Sequence, residues 1–152
     1  MNLISKVLPP ENVILDTDST SKKRIFERIG ILFENTQHVA RSQVFDSLFA
    51  REKLGSTGLG HGVAIPHGRI KGLRDASAAF AKTQTPIPFD APDGQPVNLI
   101  FVLLVPERAT DLHLQLLSEL AQMFSDKTFR EQLQNSNDAA VIHQLFANWQ
   151  AN

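Results

Sequence analysis

The sequence predicts an α/β domain, a sandwich in which a mixed β-sheet is flanked by helices. Three observations predict it. Apolar residues recur at helical spacing in some segments and in short strand-like runs in others. One continuous run, Leu99 to Val105 (LIFVLLV), has the composition of a central strand buried on both faces. The last third then shifts to an unbroken helical period, and no linker, low-complexity tract or internal repeat divides residues 1–152. A single domain packed in layers satisfies this pattern better than two independent ones.

Taken in order, Val13 to Leu15 reads as a first strand. A helix follows a Thr20 or Ser21 cap, with Ile25, Phe26, Ile29, Leu32 and Phe33 on one face before Asn35. A second helix gathers Val44, Phe45, Leu48 and Phe49 and ends near Gly55. Val63 to Ile65 and the alanine-rich Ala76 to Ala81 are further strands. Asp93 and Gly94 mark a turn before Val97 and the central run, which Pro106 bounds. Leu112, Leu116, Leu117, Leu120 and Phe124 form a helical stripe behind a Thr110 or Asp111 cap. Phe129 and Leu133 indicate one shorter helix, and Val141, Ile142, Leu145, Phe146 and Trp149 another.

Composition narrows the function. At 152 residues the chain can bury roughly 70% of its extended surface without a disulfide or metal staple. It has no cysteine, which removes thiol catalysis, iron–sulfur ligation and the usual structural zinc sites. Fifteen Lys plus Arg against 16 Asp plus Glu leave a net charge of -1, so there is no electrostatic reason to expect nucleic acid. The first residues lack a basic segment followed by a sustained apolar core, and Leu99 to Val105 is too short to span a bilayer. These features predict a soluble cytoplasmic protein without direct membrane insertion.

Chemistry concentrates in residues 51–70, REKLGSTGLGHGVAIPHGRI. Gly55, Gly58, Gly60 and Gly62 relax backbone restrictions, so that consecutive amides can curl around a small anion; a plain flexible turn before Val63 is the alternative. The segment lacks the GK[ST] ending of a phosphate loop and the GxGxxG spacing of a dinucleotide turn. Pro66 stiffens the approach to His67, which follows a strand and precedes Gly68. A neutral imidazole there can use one nitrogen as a nucleophile while the other donates a hydrogen bond that fixes the tautomer. Metal binding and a structural role remain open, although His61 has no compact carboxylate or cysteine set to complete a metal site.

His113 starts the leucine-rich helix, either as a half-buried structural residue or as a second imidazole near free helix amides. Arg51, near the end of the second helix, is either a solvated charge or a fork for phosphate oxygens. Ser56 and Thr57 can donate hydrogen bonds to an anion but have no visible base to make either a nucleophile. Glu52 and Lys53 read as a solvated helix end. Arg69, Lys71 and Arg74 read as surface charges facing water or an acidic partner, and His38 and His143 as structural or surface groups.

Together these residues resemble the mannitol and fructose (type-2) IIA proteins of the bacterial phosphoenolpyruvate-dependent phosphotransferase system, most of all their nitrogen-regulatory branch. The resemblance rests on Arg51-Glu52, Gly55-Ser56-Thr57-Gly58, Gly60, Gly62 and Ala64-Ile65-Pro66-His67-Gly68, with Leu112-His113-Leu114 downstream, and runs from Ile4 to Phe146. It implies the mannitol/fructose-type IIA fold and a phosphoryl group accepted on His67 from an HPr-like carrier. Arg51 would stabilise the phosphate charge, His113 would orient it, and Gly55, Ser56, Thr57, Gly58, Gly60, Gly62 and Gly68 would support it. No cofactor or metal is implied, because the donor is a phosphohistidine. The implied role is a regulatory phosphoprotein in signal transduction more than a turnover enzyme. Its acceptors would be regulatory targets, such as potassium-transport or sensor proteins, or a sugar-transport IIB domain.

Overall fold

The computed structural model describes residues 2–151, apart from the side chains of Asp16 and Thr110. Six strands form one mixed sheet: β1 (Val13–Thr17), β2 (Gly58–Gly60), β3 (Val63–Ala64), β4 (His67–Ile70), β5 (Ser77–Ile87) and β6 (Val97–Pro106). Five helices cover it: α1 (Lys22–Gln37), α2 (Arg41–Glu52), α3 (Thr110–Ser125), α4 (Lys127–Asn135) and α5 (Ala139–Asn148). Two short 3-10 turns, Ile4–Lys6 and Pro10–Asn12, precede β1.

The strand order is β1-β5-β6-β3-β2, with β4 also on β6. β6 is the central strand that its composition predicts: it runs antiparallel to β5 and parallel to β3 and β4. Its side chains feed two cores. Leu99, Phe101, Leu103 and Val105 join α3, α4 and α5 on one face, while Ile100, Val102 and Leu104 join α1 and α2 on the other. This is the alternation of a strand buried on both sides. Ala79 and Ala81 of β5 present small side chains to α1 and α2, whereas Phe80 fills the opposite core. That division explains an alanine-rich strand despite alanine's weak strand preference.

β3 and β4 are two pieces of one interrupted edge along β6. Val63 pairs with Leu99 and Ala64 with Ile100, while His67 pairs with Leu103 and Gly68 with Leu104. The break falls at Ile65 and Pro66, because proline has no N–H for the ladder. The Pro66 carbonyl still accepts from Leu103 N at 3.0 Å, which carries the register across the gap. The strand predicted over Val63 to Ile65 therefore ends at Ala64, and His67 opens a new strand instead of following one.

Helix boundaries differ in instructive places. Ser21 caps α1, its Oγ accepting from Arg24 N at 3.1 Å, and the helix runs two residues past Asn35 to Gln37. His38 closes it in the left-handed region at φ 59°. α2 stops at Glu52, short of Gly55. The N-cap of α3 is Ala109, with no capping side chain, so neither Thr110 nor Asp111 occupies the cap position. Leu112 is exposed, outside the apolar stripe that Leu116 and Leu120 enter. Trp149 lies just beyond α5 and packs at the edge of the core.

Candidate phosphoryl-acceptor site

His67 and His113 arrive from different elements and meet at the start of β4 and the first turn of α3. Their ring centroids are 5.2 Å apart, edge to face at 64°. On β4, Gly68 and Ile70 turn toward α2, and His67 takes the opposite face, toward α3. His67 is only 9% exposed. Its Nδ1 lies 2.9 Å from the Ile65 carbonyl. A carbonyl can only accept, so Nδ1 carries the proton and Nε2 keeps its lone pair. The strand break supplies that carbonyl: Ile65 sits in the gap between β3 and β4, outside their ladder with β6.

Burial is the main influence holding the His67 pKa below the usual imidazole value. The Ile65 hydrogen bond pushes it the other way, Arg51 lowers it further and Glu52 raises it. His113 is lowered too, first by burial, then by His67, Arg69 and Arg51. Both shifts favour the neutral form of each ring, and the charge of Arg51 acts on both. Arg51 reaches from the last turn of α2, where its Nη1 donates to the Gly55 carbonyl at 2.8 Å. That bond occupies one edge of the guanidinium and leaves donors on the other.

The glycine segment does not curl its amides around an open anion site. Gly55 N donates to the Glu52 carbonyl, Thr57 N to the Glu52 carboxylate and Gly58 N to Ser56 Oγ. Ser56 Oγ donates to the Phe89 carbonyl and Thr57 Oγ1 to Glu52. Gly58 and Gly60 belong to β2, and His61 and Gly62 form its turn to β3, with φ of 57° and 79°. Both positive values are what a tight hairpin turn needs. Gly62 lies level with Asn98 and Leu99, whose amides donate to its carbonyl. His67 lies level with Leu103, so about 3.3 Å per residue puts Gly60 and Gly62 well over 10 Å from the imidazole pair. These two glycines shape the hairpin and do not touch the site.

What the loop does is hold His67 in place through a relay. The buried Glu52 carboxylate binds Thr57, the Thr57 carbonyl accepts from Ile65 N at 3.0 Å, and the Ile65 carbonyl binds His67 Nδ1. Lys22 balances Glu52 at 2.9 Å, itself 4.7 Å above the Phe89 ring. Glu52 is therefore no solvated helix end; its carboxylate satisfies the amide and hydroxyl of Thr57. Gly58 and Gly68 serve close packing: a Cβ on Gly58 would lie 2.8 Å from Ala91 Cβ, and one on Gly68 would press on Ser47 of α2.

Sequence reasoning also missed Arg69. Its Nη1 donates to the Glu107 carbonyl at 2.8 Å and its Nη2 lies 3.4 Å from His113 Nδ1. Residues two apart on a strand share a face, which puts Arg69 beside His67, but residues 67–70 carry no alternation that marks them as a strand in the sequence. His113 Nε2 is buried without a hydrogen-bond partner among the described residues. An orphaned polar group of this kind costs about 1–3 kcal/mol until something binds it. Two neutral imidazoles, one with a free lone pair and one with an unused polar nitrogen, next to an arginine can accept and hold a small electrophilic anion.

The family model for the phosphoenolpyruvate-dependent sugar phosphotransferase system, EIIA 2, matches residues 6–149. The chain belongs to this family. It is 41% identical over 143 residues to a nitrogen regulatory protein of Pseudomonas aeruginosa, covering 93% of each chain. The crystal structure of nitrogen regulatory protein IIA-Ntr from Neisseria meningitidis superposes with a TM-score of 0.90 at 52% identity, covering 95% of this chain and 99% of that one. The mannitol enzyme IIA of Escherichia coli, solved in complex with phosphorylated enzyme IIB, matches with a TM-score of 0.79 at 20% identity over 94% of this chain and 100% of that one. At that identity the likeness is one of fold. As an EIIA-2 member the chain has the mixed sheet and flanking helices of the mannitol-type IIA structures, as its composition and resemblance predict.

Proposed function

We propose that the protein is a phosphocarrier whose His67 accepts a phosphoryl group from an HPr-like protein, and that residues 1–152 act as one IIA domain. The observation that carries this is the state of His67: Nδ1 is committed to the Ile65 carbonyl, leaving Nε2 as the attacking atom on a ring centred 5.2 Å from that of His113, whose Nε2 has no hydrogen-bond partner among the described residues. In the transfer, His67 Nε2 gives its lone pair to phosphorus while the donor's N–P bond breaks and its electron pair returns to the donor imidazole. No proton has to leave His67, since the attacking nitrogen carries none. The positive charge that develops on the ring is met by the Ile65 carbonyl, and the phosphoryl oxygens by Arg51 and His113. Positioning and charge stabilisation are the protein's contribution.

The relatives named nitrogen regulatory proteins favour a regulatory role, in which cytoplasmic partners such as potassium-transport or sensor proteins distinguish the two states of His67. A second reading, donation to a IIB domain, draws on the IIA–IIB complex of the mannitol protein. Incubation with phosphoenolpyruvate, enzyme I and an HPr-like carrier is expected to add one phosphoryl group, acid-labile and base-stable, that His67→Ala fails to acquire. Full incorporation in His67→Ala would end the proposal. Reversible anion binding with no change in intact mass would make the protein a sensor module instead. Rapid passage of label to a cognate IIB would favour transport.

A further inference from the structure

Arg69 follows His67 by two residues on β4, so both side chains lie on the face that meets α3. Its guanidinium spans two groups, the Glu107 carbonyl just before α3 and His113 Nδ1 in the first turn of that helix. A guanidinium only donates and does not lose a proton in proteins. His113 Nδ1 must therefore be an acceptor, and a neutral His113 carries its one proton on Nε2. That Nε2 is the buried nitrogen without a partner among the described residues, on a ring centred 5.2 Å from the His67 ring.

We propose that Arg69 is a positioning residue that holds His113 in the Nε2–H tautomer, so that this N–H donates to an oxygen of the phosphoryl group on His67 Nε2. The inference rests on the phosphocarrier reading. The opposite tautomer would point a lone pair at the phosphoryl oxygens and repel them. Arg69 acts through His113, and its second bond to Glu107 fixes the guanidinium at the mouth of α3. The arginine is exposed, so its removal leaves both cores intact.

Long-range proton–nitrogen NMR of the full-length protein at about pH 8, above the ordinary imidazole pKa, reads the tautomer without any phosphate donor. In the wild type, His113 Nε2 is expected to be protonated and Nδ1 bare. In Arg69→Ala the two nitrogens should move toward a mixture of tautomers, and transfer to His67 should slow about five-fold, with His67 still the attachment site. Arg69→Lys, which keeps a cationic donor, should recover part of both effects. A merely structural tie to Glu107 would slow transfer without moving the ring nitrogens. A wild-type proton on Nδ1, or ring nitrogens unchanged in Arg69→Ala, would overturn the inference. Absence of label on wild-type His67 would instead remove the phosphocarrier reading, while the donor-free spectra still decide whether Arg69 sets the tautomer.

Discussion

A histidine nitrogen attacks phosphorus only while it holds a lone pair, and at His67 the pairing of Nδ1 with the Ile65 carbonyl and the burial of the ring both secure that state. Burial, with Arg51 as a smaller influence, depresses the pKa against the opposing pull of Ile65 and Glu52. Phosphoryl acceptance should accordingly stay level as pH is lowered through about 6.5, the ordinary imidazole value, and fall only below it. Stopped-flow transfer from a phosphorylated carrier measures this, and a midpoint at or above that value contradicts it. Arg51 already has one edge on Gly55 and is set to meet phosphate with the other. Arg51→Ala should lower the transfer rate on the order of 100-fold with little change in thermal stability; near-normal kinetics would return Arg51 to the role of a solvated helix-end charge.

At the scale of elements, the site depends on how closely α2 lies on β4. Gly68 makes that approach possible: an added Cβ would sit 3.1 Å from Ser47 Cβ and 3.2 Å from the Ser47 backbone carbon. Ser47 Oγ also donates to the Arg69 carbonyl at 2.9 Å, tying the helix to the strand that bears His67. Gly68→Ala should destabilise the protein by about 1–3 kcal/mol in urea unfolding and slow transfer to His67, because backbone must move on one side or the other. Ser47→Gly in the same chain should restore part of the stability, and an unchanged unfolding midpoint in Gly68→Ala alone would show that the two elements have slack. The elements most legible in the sequence are those with long periods, such as α1 with Ile25, Ile29 and Phe33, and β6 with its unbroken apolar run. β2 and β4 were not legible, because three residues of Gly-Leu-Gly and four of His-Gly-Arg-Ile carry no alternation that distinguishes strand from loop. The unpartnered cap position of α3 escaped for a similar reason: Ala109 has no capping oxygen, and nearby Thr110 and Asp111 both do.

Across the whole molecule, the sheet separates two apolar cores. Lys82, buried near the end of the β5–β6 pairing, donates to the carbonyls of Leu133, Gln134 and Ser136 at 3.1, 2.6 and 3.0 Å, closing the C-terminal end of α4 against the sheet. The neutral imidazole pair makes global stability depend on pH with a definite sign. In the unfolded chain both rings gain protons below about 6.5, whereas in the folded protein their pKa values lie lower. Between the two limits the unfolded state binds more protons, so stability is fully present above about pH 6.5 and declines as pH falls through the folded values. Thermal unfolding of the unphosphorylated protein should show this decline, and His67→Gln with His113→Gln should flatten it. An equal decline in the double variant would assign it to other groups.

What the sequence by itself determined is the layered α/β class, the central strand, the main helices and, through the extended motif from Arg51 to Gly68 with His113, the family and its candidate residues. Local periodicity and short-range motifs are written in consecutive residues, so they survive without coordinates. Only the tertiary structure decided what those residues do for one another. It showed Gly60 and Gly62 to belong to a hairpin, the amides of Gly55, Thr57 and Gly58 to be bound internally, Glu52 to anchor the relay to His67, and Arg69 to stand against His113 across 44 positions of sequence. Each of these depends on which side chain or carbonyl a distant element brings within hydrogen-bonding reach, and such partners have no fixed spacing along the chain from which they could be read.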